Sequence, residues 1–121
     1  MKTETCPVID AGKLVGKKWS IAIVQELFFE KKSGFNKLKE SLKEISPRIL
    51  SQRLKELEHS KLIRKISAKK NNTYYSAYSL TKKGKDLQLI INDLKKWGVK
   101  WENIGAQCFN TKCSECERFA E

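Results

Sequence analysis

Apolar residues recur three and four residues apart in several segments of this chain, a spacing typical of helices with one buried face. The spacing predicts short helices over Val8 to Val15 and from Phe35 to about Lys43. The continuous apolar run from Ile21 to Phe29 fits a buried strand or a buried helix by periodicity alone. Its length and the Ser20 that opens it favour a helix.

The helix with the clearest start signal follows Ser46. The Ser46 side chain can accept a hydrogen bond from the first turn, and Pro47 lacks the N–H that would be unpaired there. Leucines then recur at i, i+4 and i+7 and predict one buried stripe. The side chains expected on the opposite face are Arg48, Gln52, Lys55 and His59, with Ser51 at the border. This face is available to a partner.

Two β-rich segments follow, Leu62 to Ser67 and Tyr74 to Leu80, and they flank a polar tip from Ala68 to Thr73. Asn tolerates the left-handed backbone that a hairpin tip needs. Thr81 can cap a last long helix that ends at about Trp101. The fold class predicted is mainly α with a small β-wing, a winged helix-turn-helix with N- and C-terminal dimerisation helices.

Charge supports a polyanionic partner. The 121-residue chain has a formal net charge of +11, and residues 61–85 contain eight Lys or Arg and no Asp or Glu. Such basicity favours nucleic acid first and an acidic membrane surface second. No apolar run approaches a membrane span and no signal peptide is apparent, so we expect a cytoplasmic protein.

The element order predicts double-stranded DNA as the partner, because a recognition helix fits the major groove and a basic wing lies beside it. Arg48 suits guanine or phosphate and Gln52 suits adenine, whereas an ordinary solvated helix face is the alternative for any one of them. The predicted DNA-binding residues are Ser46, Arg48, Ser51, Gln52, Lys55, Lys69, Lys70 and Asn72.

The chain also resembles a known family. The motifs are Cys-Pro at 6–7, Leu-Val-Gly-Lys-Lys-Trp-Ser at 14–20, Gly-Phe-Asn-Lys-Leu at 34–38, Ile-Ser-Pro-Arg at 45–48 and Tyr-Ser-Leu-Thr-Lys-Lys-Gly at 78–84. Over residues 6 to about 98 they are similar to the HxlR-type winged-helix transcriptional regulators of bacteria and archaea. The resemblance implies a homodimeric, MarR-like regulator. It also implies that Cys6 senses electrophiles or oxidants, because a cysteine before proline often does so in that family. The chain departs from the family pattern at Lys17, where glycine is usual, and in a wing without prolines.

A homodimer is expected through the last helix, because an isolated helix with a long apolar stripe would expose it to water. The predicted interface residues are Leu87, Ile91, Leu94, Trp97 and Trp101. The alternative is that this stripe folds back onto the N-terminal helices of the same chain. The predicted organisation is one domain over residues 1–101 and a cysteine-containing tail over residues 102–121.

The tail carries Cys108, Cys113 and Cys116 in a C-x4-C-x2-C pattern, and Cys6 lies near them if the chain ends meet. Thiolates at this spacing can hold zinc or an iron–sulfur cluster, can cycle between dithiol and disulfide, or have no role. No catalytic constellation is present, so an enzyme is not expected. The leading hypothesis is a sequence-specific transcriptional regulator that responds to oxidants or other small molecules. The alternatives are an architectural DNA-binding protein and a metal or redox sensor that acts through a protein partner.

Overall fold

Residues 6–101 are the part of the chain that the computed structural model describes. Over this range five helices and a two-stranded antiparallel sheet form a mainly helical fold, in agreement with the predicted class. No helix in this range is long and apolar enough to cross a membrane. The elements are α1 (Pro7–Val15), α2 (Lys18–Glu30), α3 (Phe35–Leu42), α4 (Pro47–His59), β1 (Ile63–Lys70), β2 (Thr73–Leu80) and α5 (Lys82–Trp101).

Helix α2 supplies the centre of the core. Ile23, Val24 and Leu27 are at most 1% exposed and belong to one buried cluster with the leucines of α3 and α4. The helix begins at Lys18, two residues before the predicted start, because Lys17 takes the extended N-cap conformation. Ser20 therefore does not open the helix. It is buried in the first turn, where its N–H donates to Lys17 O at 3.1 Å.

Helix α4 has the start and the buried stripe that its sequence predicts. The Ser46 side chain accepts a hydrogen bond from Ile49 N–H at 3.1 Å, and Pro47 is the first helical residue. Leu50, Leu54 and Leu57 are at most 2% exposed. Local capping and periodicity therefore determine both the position and the rotation of this helix.

The hairpin strands extend further than predicted. Their register runs from the Ile63–Leu80 pair to the Lys70–Thr73 pair, so the tip is Asn71 and Asn72 alone rather than six residues. Both asparagines have positive φ, 52° and 63°. A two-residue type I′ turn requires this backbone, and asparagine tolerates it. The lysines assigned to the tip, at positions 69 and 70, consequently lie at the end of β1.

Ser33 forms an additional strand-like contact in a segment predicted to be a loop. Its N–H donates to Tyr78 O at 3.0 Å, and Tyr78 N–H donates to Ser33 O at 2.9 Å. This antiparallel bridge ties the start of α3 to β2. A single paired residue is too short to produce an alternating pattern in the sequence, which is why periodicity does not reveal it.

Helix α5 divides the predicted interface residues between its exposed and its buried side. Ile91 is only 2% exposed and lies in the core of its own chain, and Leu87 is partly buried against that core. Ile91 is therefore removed from the predicted dimer interface. The rest of the buried side of α5 consists of small and polar residues, namely Gly84, Gln88, Lys95 and Gly98.

Candidate nucleic-acid interface

The outward face of α4 presents a row of polar side chains. Arg48, Gln52 and Lys55 are exposed at i, i+4 and i+7, Ser51 is half-buried at the border, and His59 is exposed at the helix end. These residues stand opposite the buried leucines, as the sequence predicts. The three exposed positions at i, i+4 and i+7 combine two cations with one uncharged side chain that can both donate and accept hydrogen bonds.

Ser46 is exposed at the start of the same helix, where its oxygen is already committed as the cap of Ile49 N–H. A hydroxyl that accepts one hydrogen bond keeps its own O–H to donate. Ser46 can therefore cap α4 and donate to a phosphate oxygen at the same time.

An ion-pair network that sequence reasoning missed connects α4 to the start of α2. Glu56 accepts from Lys17 Nζ at 3.0 Å and from Arg53 Nη1 at 3.1 Å. The hydrogen bond from Lys17 is the main reason why the pKa of Glu56 lies below its ordinary value, and the charge of Arg53 adds to the effect. The i, i+3 spacing of Arg53 and Glu56 was the only signal in the sequence, because Lys17 is 39 residues away.

The wing presents its basic residues together with tyrosines. Lys69, Lys70 and Asn72 are exposed, as predicted. Tyr74 is 69% exposed, and Lys69 Nζ lies 5.7 Å from the centre of its ring. Lys69 and Tyr74 are direct partners in the β register, so the cross-strand pairing produces this cation–aromatic contact.

Contacts at its base hold the wing in place. Thr81 N–H donates to Leu62 O at 3.0 Å, and Thr81 Oγ1 accepts from Gly84 N–H at 3.2 Å, which caps α5. Lys83 Nζ donates to Ser60 O at 2.7 Å. A Cβ at Gly84 would collide with Leu62 O, so glycine permits the close approach of α5 to the turn after α4. These contacts set the angle between the wing and the recognition helix.

An apolar face runs along the exposed side of α5. Ile90, Leu94, Trp97 and Trp101 are between 47% and 64% exposed along α5. The face is continuous, through Ile90, with a cleft of about 860 Å³ between α1, the end of α4 and α5. Helix α1 has no fully buried residue. Both terminal helices therefore present surface that the described chain leaves uncovered.

Of the four predicted sensor cysteines, Cys6 lies within the described residues. Cys6 is exposed at the N-cap of α1, where its carbonyl accepts from Asp10 N–H at 2.9 Å. Within residues 6–101 no three His, Cys, Asp or Glu side chains come together as a metal site. Cys108, Cys113 and Cys116 lie outside the described residues.

Comparisons with known proteins agree with this architecture. A family model described as HxlR-like helix-turn-helix matches residues 14–105. The chain is 33% identical over 101 residues to the uncharacterized HTH-type transcriptional regulator YvaP of Bacillus subtilis strain 168. The aligned region covers 83% of this chain and 92% of YvaP.

Two solved structures have a similar fold and a redox context. The reduced form of the transcriptional regulator YodB from B. subtilis superposes with a TM-score of 0.68 at 26% identity, covering 81% of this chain and 95% of YodB. The redox regulator HypR in its reduced form superposes with a TM-score of 0.67 at 26% identity, covering 78% of this chain and 92% of HypR.

Proposed function

Because this chain belongs to the HxlR-like helix-turn-helix family of transcriptional regulators, we propose that it binds a specific operator in double-stranded DNA as a homodimer. The observation that carries the proposal is the exposed row on α4, in which Gln52 stands between Arg48 and Lys55. A protein that binds DNA through charge alone gains little from an uncharged hydrogen-bonding side chain at the centre of such a row. The row therefore favours base readout over architectural binding.

The residues divide between base and backbone contacts. Arg48 and Gln52 are assigned to guanine and adenine edges, since a guanidinium and a carboxamide each bind those bases through two hydrogen bonds. Ser46, Ser51 and Lys55 are assigned to phosphates beside the major groove. Lys69, Lys70 and Asn72 are assigned to the adjoining backbone or minor groove from the wing.

Dimerisation is assigned to the apolar face of α5. Ile90, Leu94, Trp97 and Trp101 form this face, with Leu87 at its margin, and Ile91 is excluded by its burial. A twofold mate would cover the face and would set two recognition helices about one DNA turn apart, roughly 34–36 Å.

The test compares base and backbone variants on one operator selected from random duplexes. Arg48→Ala and Gln52→Ala should each weaken operator binding by roughly 1–3 kcal/mol and relax preference at one base position. Lys70→Ala, the matched control, should weaken all duplexes about equally. Equal affinity of the wild type for every duplex at moderate salt would instead establish an architectural protein.

Membership of the same family is also the reason for assigning a regulatory role to Cys6. It is exposed at the start of α1, one of the two terminal helices with uncovered surface. A peroxide would oxidise two thiols to a disulfide, which removes both S–H hydrogens with one electron pair and reduces the peroxide to water or an alcohol. The partner thiol is a second Cys6 or a cysteine of the tail. The new bond would change the angle between the two subunits and so the operator affinity.

Operator binding by reduced, oxidised and Cys6→Ser protein tests this role. Oxidation should change the affinity of the wild type and leave Cys6→Ser unchanged. Metal content measured in parallel examines the alternative that Cys108, Cys113 and Cys116 hold zinc or an iron–sulfur cluster. Equal affinity in all three states of metal-free protein would exclude both sensing hypotheses and leave the DNA-binding function intact.

A further inference from the structure

A second cleft, of about 600 Å³, lies between the first turn of α3 and the wing. It is separate from the polar row of α4. Residues of the α3 start and of the adjoining segment form one wall, and Lys70, Tyr75 and Ser76 of the hairpin form the other. The Ser33–Tyr78 bridge brings these two walls together.

The start of α3 is open to an acceptor. Gly34 is the N-cap, makes no side-chain cap, and is followed by a first turn without an acidic residue. Leu38 N–H makes the first bond of the helix, to Gly34 O at 3.0 Å. The N–H groups of Phe35, Asn36 and Lys37 precede it and point out of the helix end. They form one positive end of a helix dipole, which favours an anion.

A buried hydroxyl in the same cleft is unpaired. Ser33 is 2% exposed and lines the cleft, and its Oγ has no hydrogen-bond partner among the described residues. Leaving a buried hydroxyl unpaired costs free energy, so such a group in a native fold calls for a ligand or a water. This observation is independent of the helix end and points to the same place.

The charges lining the cleft are mostly positive. Lys32, Lys37 and Lys70 line it, and Glu30 is the one acid among the lining residues. Glu30 Oε1 lies 3.1 Å from Lys37 Nζ, so an ion pair offsets its repulsion of an anion. The net charge of the lining residues is therefore that of two lysines, Lys32 and Lys70.

From these features we infer that the cleft binds a phosphate group, supplied by the DNA backbone beside the operator. The inference rests on the proposed function. The N–H groups at the α3 start and the Ser33 hydroxyl would donate to the phosphate oxygens, and Lys32 and Lys70 would neutralise its charge. One phosphate would then be held jointly by the helix-turn-helix and the wing, which fixes the register of α4 along the groove.

Asn36→Asp is the sharpest variant, because Asn36 is exposed in the first turn of α3 and lines the cleft. A carboxylate there stabilises the helix end but repels a phosphate. The thermal midpoint should therefore rise while operator affinity falls roughly tenfold, the equivalent of one charge-assisted hydrogen bond. The log–log salt dependence should lose about one unit of slope. If the start of α3 binds no phosphate, only the thermal midpoint should rise, and operator affinity should stay unchanged.

Ser41→Asp is the matched control, since it adds the same charge to the same helix at the opposite end and outside the cleft. Its salt slope should equal that of the wild type. Ser33→Ala should keep or raise the unfolding midpoint, because it removes an unpaired hydroxyl, and should lower operator affinity.

Wild-type affinity and salt slope in both Asn36→Asp and Ser33→Ala would overturn the phosphate site, while a loss of binding in Arg48→Ala would leave the proposed function standing. Titration with inorganic phosphate, followed through the amide resonances of residues 35–37, separates the two sources of the ligand. Saturation by free phosphate without any effect of the variants on DNA binding would overturn the assignment to the DNA backbone and identify a site for a soluble phosphate compound.

Discussion

Helices α4 and α5 are both amphipathic, but they are built the opposite way round. In α4 the buried stripe is leucine and the outward row is polar. In α5 the buried side is small and polar apart from Ile91, and the outward side carries Ile90, Leu94, Trp97 and Trp101. The first helix is completed by its own chain and offers hydrogen bonds to a partner. The second leaves apolar surface exposed, which the proposed second subunit would cover.

The difference has a physical cause in how closely each helix approaches the core. Leucines hold α4 at a distance that their side chains fill, whereas Gly84 lets α5 approach the turn at Leu62 directly. The side of α5 that approaches so closely has room for little more than a glycine at this position. Ile90, Leu94, Trp97 and Trp101 lie on the other side, where a second subunit can bury them.

The largest effect is expected from Leu94→Asp in the apolar face of α5. A carboxylate buried in a subunit interface without a partner costs about 3–5 kcal/mol, so the dimer dissociation constant should rise by roughly two to four orders of magnitude. Sedimentation velocity at micromolar concentration should show a monomer that keeps the wild-type circular dichroism spectrum. Lys96→Ala is the control on the exposed polar side of α5 and should remain a dimer. A wild-type protein that is itself monomeric would refute the assignment of the interface.

Gly84→Ala should have the next largest effect. Its Cβ would meet Leu62 O and the Leu80 side chain, and overpacking of this kind costs roughly 1–3 kcal/mol of unfolding free energy. Gly12→Ala is the matched control, because nothing lies within 4 Å of the added Cβ. That variant should gain roughly 0.5–1 kcal/mol from its higher helix propensity. Urea denaturation measures the unfolding free energy of both variants. Equal changes in Gly84→Ala and Gly12→Ala would mean that α5 does not need the close approach to Leu62.

Removing the capping side chain of α4 or of α5 should lower the stability by a smaller amount, and by a different amount in each helix. Ser46→Ala should cost about 1 kcal/mol, the loss of one N-cap. Thr81→Ala should cost more, since Thr81 Oγ1 caps Gly84 N–H and also donates to Lys61 O at 2.5 Å. The additional hydrogen bond adds about 0.5–1.5 kcal/mol. Thermal unfolding of the two variants side by side would contradict this ranking if Ser46→Ala were the less stable.

The smallest effect concerns Glu56, which holds α4 against Lys17. Its lowered pKa means that the folded protein binds this proton more weakly than the unfolded chain does. The resulting stability is present above the ordinary carboxyl pKa and is lost as the pH falls through the lowered value. Since both partners are partly exposed, Glu56→Gln should cost roughly 0.2–1 kcal/mol at neutral pH and nothing at acid pH. A difference between wild type and variant that grows toward acid pH would contradict the assignment.

The boundaries of α4 were predictable because every signal for it is local. A capping serine, a proline at the first position and leucines at helical spacing act within 13 residues. The longer strands and the two-residue tip were missed because asparagine fits a two-residue turn and a six-residue loop equally well. The Lys17–Glu56 pair and the phosphate cleft were missed because they unite residues that are far apart in the chain.

Capping, periodicity and charge are properties of neighbouring residues, so the order of the elements, the polar row of α4 and the basic wing could be predicted from the sequence. The rotation of α5 could not, because it depends on contacts between distant parts of the chain. A pattern with Leu87, Ile90, Ile91 and Leu94 allows more than one apolar face, and the steric contact of Gly84 with the turn at Leu62 selects the one that includes Ile91 for the core. The same contact leaves Ile90, Leu94, Trp97 and Trp101 exposed, because a rigid helix cannot direct both sides of its surface to one core.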